Sequence, residues 1–240
     1  MEIKFSDVYV GKTSLPNTDS STSRRFSALG IPTSDKLTGL EVRLSNIFII
    51  DNKQAHIWPF IRYSDLYFLV LAIDDVSQEL STFTVKGFAD VDDNEQLPVD
   101  RTIYYWKDDS GSRAPGQIHT LISVIKSNDG IRDLGNTLTQ LKGTDDYRNI
   151  LATIKSTITG GSTIIIDALT PLASLVGSSL GNVDDTPLIT AVYSFTDISG
   201  NFDDLGRHPA IIKNRYVELG LTLIVRDKNR QDPVEKVHLR

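Results

Sequence analysis

The chain has 240 residues, 40% hydrophobic and 23% charged, a globular composition that supports a sizeable core. A net charge of −6, with no basic run longer than Arg24-Arg25, excludes a general nucleic-acid binder, because phosphate binding needs clustered Lys and Arg. Cysteine is absent, which excludes disulfides and thiolate metal sites.

The opening residues Met1 to Phe5 lack the apolar core of a signal peptide. No apolar run approaches the roughly 18 residues of a membrane span. A soluble protein is therefore expected, with contact at a membrane surface admitted and a span not. Of the 31 acids, 25 are Asp. Asp bonds its own backbone and favours turns, whereas Glu favours helix interiors, so the excess predicts a loop-rich β protein. Some of those loops are candidates for holding Ca²⁺.

Residues 2–10 alternate around Ile3, Phe5, Val8 and Val10 and predict a first strand. Residues 11–37, rich in Ser, Thr, Pro and Asn, predict a long loop. Val42, Leu44, Ile47 and Ile49 repeat at period two with one slip, which predicts a strand with a bulge, followed by a turn at Asp51-Asn52-Lys53. Ile57 to Ile61 leads onward, with Pro59 keeping it off a central ladder. Leu66 to Ile73 is a run of eight apolar residues closed by Asp65 and Asp74-Asp75. It is too short for a buried helix and fits a strand buried on both faces, the element around which the rest is organised. Further strands are expected at 82–88, 102–106, 118–125, 188–195 and 216–225, the last in strict alternation.

Residues 130–182 differ in character. Ile131, Leu134, Leu138 and Leu141 fall at helical spacing. Tyr147, Ile150, Leu151, Ile154 and Ile158 do so again, with Thr144 at the N-cap and Asp145-Asp146 at the positive end of the dipole. A third apolar stretch, holding Ile164, Ile165, Leu169 and Leu172, is interrupted by Pro171. These four side chains are candidates for contact with a protein partner or a second copy of the chain, weighed against simple burial. The expected architecture is mainly β: one domain over 1–240, an antiparallel β-sandwich of about eight strands, with a helical insertion at about 130–182.

Motifs for enzyme chemistry are missing. His56, His119, His208 and His238 are scattered, and there is no nucleophile elbow, phosphate loop or dinucleotide turn. Asp90 to Glu95 starts as an EF-hand loop does, but Glu95 stands where the sharp turn needs Gly and Arg101 where Glu should close the site. An acidic turn between strands is the better reading. Trp58, Tyr104, Tyr105 and Trp106 are candidates for a sugar platform, or for core.

Two stretches resemble a known family. Ser64-Asp65-Leu66-Tyr67-Phe68-Leu69-Val70 looks like the S-D-P-Y-V-x-V segment of C2 domains, with Leu66 in place of Pro. Leu121 to Gly135 resembles that family's strand, D-x-D loop and following turn. The resemblance, over about 60–135, implies a two-sheet sandwich whose loop aspartates chelate Ca²⁺ and bridge to anionic lipid head groups. Carried over, Asp65 and Asp133 match ligand positions and Asn128 is a weakened match. Lys126 stands where the first loop aspartate belongs, and a cation there opposes Ca²⁺. Asp129, and Asp74 with Asp75 at the other end of the run, complete the candidate metal set. Calcium is the one cofactor so implied. The expected function is a non-enzymatic binding module using acidic loops on a ligand, a membrane surface or a protein partner. The alternatives are an assembly protein whose insertion and 11–37 loop contact other subunits, and a carbohydrate-binding sandwich.

Overall fold

The computed structural model describes residues 8–10, 36–54, 63–77, 82–108, 113–127, 143–159 and 186–228. The strands are β1 (Val8–Val10), β2 (Leu37–Ile49), β3 (Ser64–Asp74), β4 (Thr82–Val91), β5 (Glu95–Leu97), β6 (Arg101–Lys107), β7 (Gln117–Ser127), β8 (Thr186–Thr196), β9 (Gly206–Lys213) and β10 (Val217–Asp227). One sheet runs β1-β8-β7-β3-β4; the other runs β5-β2-β10-β9, with β6 also paired to β2. Inward side chains of both sheets form one core, which joins Leu66, Phe68 and Val70 to Leu40, Val42, Leu221 and Leu223. Burying each such side chain is worth roughly 1.5–3 kcal/mol.

The expected sandwich is present, and β3 has the predicted character. It pairs with β4 on one side and β7 on the other, both antiparallel. Its alternate residues Tyr67, Leu69, Leu71 and Ile73 point away from the inter-sheet core and are buried as well. The slip in β2 is also a real bulge. Leu44 pairs with Leu221 and Asn46 with Gly220, leaving Ser45 as the extra residue. Ser45 Oγ donates to the Gly220 carbonyl at 3.0 Å. A Cβ at Gly220 would lie 3.1 Å from the Asn46 Cβ, so the close approach at the bulge favours glycine.

Three features depart from the expected plan. β5 and β9 are additional strands: the first has three residues, and the second carries Pro209 on the sheet edge, where a missing N–H does no harm. β1 pairs with β8 in parallel, whereas the other ladders among the described residues are antiparallel. The turn after β4 does not close a hairpin but carries the chain from one sheet to the other, into β5.

Between β7 and β8 in the chain lies helix α1 (Asp145–Thr159). Its start is as predicted: the Tyr147 N–H donates to Thr144 Oγ1 at 3.2 Å, and Asp145 and Asp146 occupy the first turn. The remaining parts of the expected insertion, including Ile164, Ile165, Leu169 and Leu172, lie outside the described residues.

Candidate functional site

The candidate metal residues fall at opposite ends of the sandwich. Asp65, the second residue of β3, pairs with Ser127 on β7, whereas Asp74 closes β3 opposite Ile118. The strand between them is extended chain, about 30 Å long at the usual rise. Asp65 and the Asp74-Asp75 pair therefore do not converge on one ion. β7 ends at Ser127, opposite Asp65; Asn128, Asp129 and Asp133 lie outside the described residues. Among the described residues, no three His, Asp or Glu side chains gather closely enough to hold a metal ion.

Asp74 and Asp75 are both engaged in structural bonds. Asp74 Oδ1 accepts from the N–H groups of Val76 (2.8 Å) and Ser77, and its Oδ2 accepts from the buried Tyr104 hydroxyl at 2.9 Å. Burial, then the charge of Asp74, drives the Tyr104 phenol far above its ordinary range. Asp75 Oδ1 accepts from Gly116 N–H (2.9 Å) and Gln117 N–H (3.1 Å), pinning the start of β7. Removing the phenol oxygen in Tyr104→Phe deletes a buried bond to a carboxylate. It should cost about 1.5–3 kcal/mol in urea unfolding. A loss below about 0.5 kcal/mol would show that the bond contributes nothing net.

The Asp65 end is a knot of turns. Asp65 Oδ1 accepts from the N–H of Asp90 at 3.1 Å, where the β3–β4 ladder is bulged and Asp90 has φ of 54°. The predicted acidic turn forms here: Glu95 Oε2 accepts from Asp92 N–H (2.7 Å), and Asn94 stands at φ 57°. Asn52, fully buried, binds this turn to the end of β2. Its N–H donates to Asp93 Oδ1 at 2.7 Å and its Nδ2 to the Val91 carbonyl at 3.0 Å.

Cations and aromatics complete this end, of which sequence reasoning singles out Lys126 alone. Lys53 Nζ stands 4.2 Å from the Tyr216 ring centroid and donates to the Pro187 carbonyl at 3.2 Å. The exposed Arg215 guanidinium lies 4.5 Å from the same ring. Lys126 Nζ donates to the Lys53 carbonyl at 3.2 Å. Burial, then the neighbouring Lys53 charge, lowers its basicity, while Asp51 opposes both. Tyr63, half-exposed, precedes β3 at this same end. The one signal in the chain is the Arg215-Tyr216 pair; Lys53 reaches its ring only through the fold, and Lys126 joins it through the Lys53 carbonyl.

The other sequence candidates separate. Strand alternation turns Tyr104 and Trp106 toward the core and Tyr105 to solvent, so these three form no common platform; Trp58 lies outside the described residues. A serine–histidine contact also occurs: His119 Nδ1 lies 2.8 Å from Ser194 Oγ, and Nε2 lies 3.2 Å from Gln117 Oε1. A nucleophile and its base need such proximity. Yet His119 is 3% exposed, and burial pushes it down to about 4, which makes it a feeble base near neutral pH. The contact satisfies buried polar atoms across β7 and β8.

No family model and no curated protein sequence matches this chain. Solved structures that it resembles include human GIVD cytosolic phospholipase A2 in complex with methyl gamma-linolenyl fluorophosphonate inhibitor and terbium chloride. That match has a TM-score of 0.34, 8% identity, and covers 82% of this chain and 18% of the other. A second complex of the human enzyme with the same fluorophosphonate gives 0.33 and 10%, covering 83% and 18%. This chain thus spans under a fifth of the length of those proteins.

Proposed function

We propose that the protein is a non-enzymatic binding module of C2-like build whose Asp65 end docks on an anionic membrane surface. The observation that carries this reading is the Tyr216 ring approached by Lys53 and Arg215, on the same rim as the half-exposed Tyr63. Aromatic rings and basic side chains together suit the head-group layer, where rings sit at the interface and cations meet lipid phosphates. Asp65, Asp93 and Glu95 of the same rim each accept a backbone N–H, which holds them in the turns but leaves their charge in place, so the basic and aromatic side chains must carry the contact against them. The contact we propose needs no calcium. The net charge of −6 does not forbid it, because charges beyond about 10 Å are largely screened at physiological salt.

Co-sedimentation with phosphatidylserine-containing vesicles in EGTA tests the reading. The protein should bind, bind less as salt rises, and lose about fivefold in affinity in Arg215→Gln. Absence of binding in EGTA would overturn it. Binding that appears only with Ca²⁺ would overturn it as well.

A further inference from the structure

β9 is the last strand of its sheet, and among the described residues no strand pairs with its outer edge. Which backbone groups face that edge follows from the hairpin. The Asn214 N–H donates to the Val217 carbonyl at 3.0 Å, so these two residues form a hydrogen-bonded pair. Bonded and unbonded pairs alternate along an antiparallel ladder, and the register from β9 to β10 runs on without a shift. Ile212, Ala210 and His208 therefore bond to β10, whereas the N–H and C=O groups of Lys213, Ile211 and Arg207 point away from it. Pro209, which has no N–H, falls in the outward set, as a proline in a strand must.

The side chains of the outward set are all exposed, Ile211 to 70%. An apolar residue thus stands on an open edge between two cations. Lys213 is paired with Glu218 at 3.0 Å, but Arg207 makes no ion pair among the described residues. The edge also ends short of the facing sheet. β5 and β6 share one edge of β2, so the β9 sheet is four strands wide against five in the other. A cleft beside Asp204, lined by Tyr193 and Phe195 of β8 and by His208 and Ala210 of β9, sets β8 across from β9, and β1 lies one strand farther out than β8. No described strand extends the β9 sheet to match β1. A second copy of the chain suits this edge badly. Pairing β9 with itself about a two-fold axis sets Arg207 against the second copy's Lys213 at both ends, and Pro209 withholds a donor twice. An acidic strand has the opposite relation, because its carboxylates meet Arg207 and Lys213 and an apolar residue meets Ile211.

We propose that the outer edge of β9 receives an extended segment of a partner protein as an added antiparallel strand, with acidic residues opposite Arg207 and Lys213 and an apolar residue opposite Ile211. The contact uses the strand edge rather than the hairpin tip that carries Arg215 and Tyr216. Its test contains no lipid, so its failure and the failure of the membrane reading are seen separately. The probe is the acetylated, amidated peptide Glu-Thr-Val-Thr-Val-Thr-Glu, titrated by NMR against the Arg207, Ile211 and Lys213 amide resonances. Saturable shifts are expected below about 5 mM, and the same peptide with lysine in place of both glutamates should not saturate. N-methylation of the third peptide residue removes the N–H aimed at the Ile211 carbonyl and should weaken binding roughly tenfold or more. N-methylation of the fourth, whose N–H points away from β9, should stay within about threefold of the parent peptide. On the protein, Ile211→Pro removes a donor at the free edge without touching the ladder to β10, and should cost roughly fivefold or more. Arg207→Glu should cost roughly fivefold. No saturable shift with the folded parent, equal binding of the lysine peptide, or unchanged affinity in folded Ile211→Pro would each overturn the proposal. Shifts at the same amides on raising the protein concentration without peptide would assign the edge to a second copy and overturn it too. If Ile211→Pro fails to fold by circular dichroism, the two methylated peptides decide on the parent protein: equal or reversed effects overturn the added strand.

Discussion

Replacing Asn52 by alanine should lower the unfolding free energy by about 2–4 kcal/mol, more than an ordinary surface polar change. The side chain is wholly buried, and the residue ties together the end of β2, the last residue of β4 and the turn leading to β5. Truncation leaves the Val91 carbonyl without its 3.0 Å donor, and the Gln54 N–H without the Asn52 Oδ1 that it reaches at 2.9 Å. Each stranded buried group costs roughly 1–3 kcal/mol. The two backbone bonds of Asn52, from its N–H to Asp93 Oδ1 and from Ser64 Oγ to its carbonyl, survive the change, which caps the loss. Asn52→Asp is a useful companion, because it keeps the acceptor and loses the donor to Val91. Urea unfolding of the three proteins, with a loss for alanine smaller than about 0.5 kcal/mol, would show that the turns are held by other means.

The second large effect is on pH. His119 is buried between β3 and β8, and desolvation of its charged form holds it near 4, against the pull of Asp75 and Asp74. The unfolded chain takes up this proton near pH 6.5 while the folded protein refuses it until about pH 4. Protons bound by the unfolded state exceed those bound by the native state throughout that window, so stability falls as pH drops from 6.5 toward 4 and is whole above 6.5. The group accounts for roughly 3 kcal/mol at the low end. Comparing parent and His119→Gln at about pH 7 and about pH 4.5 isolates it from the many carboxylates. The parent should lose about 2–3 kcal/mol more than the variant over that interval. Parallel losses in both proteins would mean that His119 is protonated in the folded state.

Much of the fold is legible in the sequence because its signals are local. The eight-residue apolar run of β3, the strict alternation of β10 and the slip in β2 each map a side-chain period directly onto a pleated strand. The cap on α1 is legible for the same reason, since Thr144 and Tyr147 lie within one turn. β9 is hidden because its side chains alternate only between exposed and half-buried until Ile212, and because Pro209 argues against a strand anywhere but an edge. β5 is too short to carry a period.

The site is legible only in part. Asp65 lies near the start of β3, as its place before the apolar run implies, but grouping it with Asp74 and Asp75 disregards the rise of the strand between them. The meeting of Lys53 with the Arg215-Tyr216 pair joins distant parts of the chain, as does the bond from Lys53 to Pro187, 134 positions away. No local pattern announces such a meeting. The cleft beside Asp204 is equally non-local in origin, drawing on β8, β9 and β10 at once.

Both sheets join early and late parts of the chain. β1 lies along β8, β2 lies along β10, and Arg226 reaches Glu41 across 185 residues at 2.7 Å. During synthesis, β5 and β6 can pair with one edge of β2, but its other edge must wait until β10 has left the ribosome. Such distant closures carry a large entropic toll and make for slow assembly, with the half-made sheets exposed to wrong neighbours in the meantime. The rate at which this fold forms should depend on the arrival of β10 more than on any helix or turn formed before it.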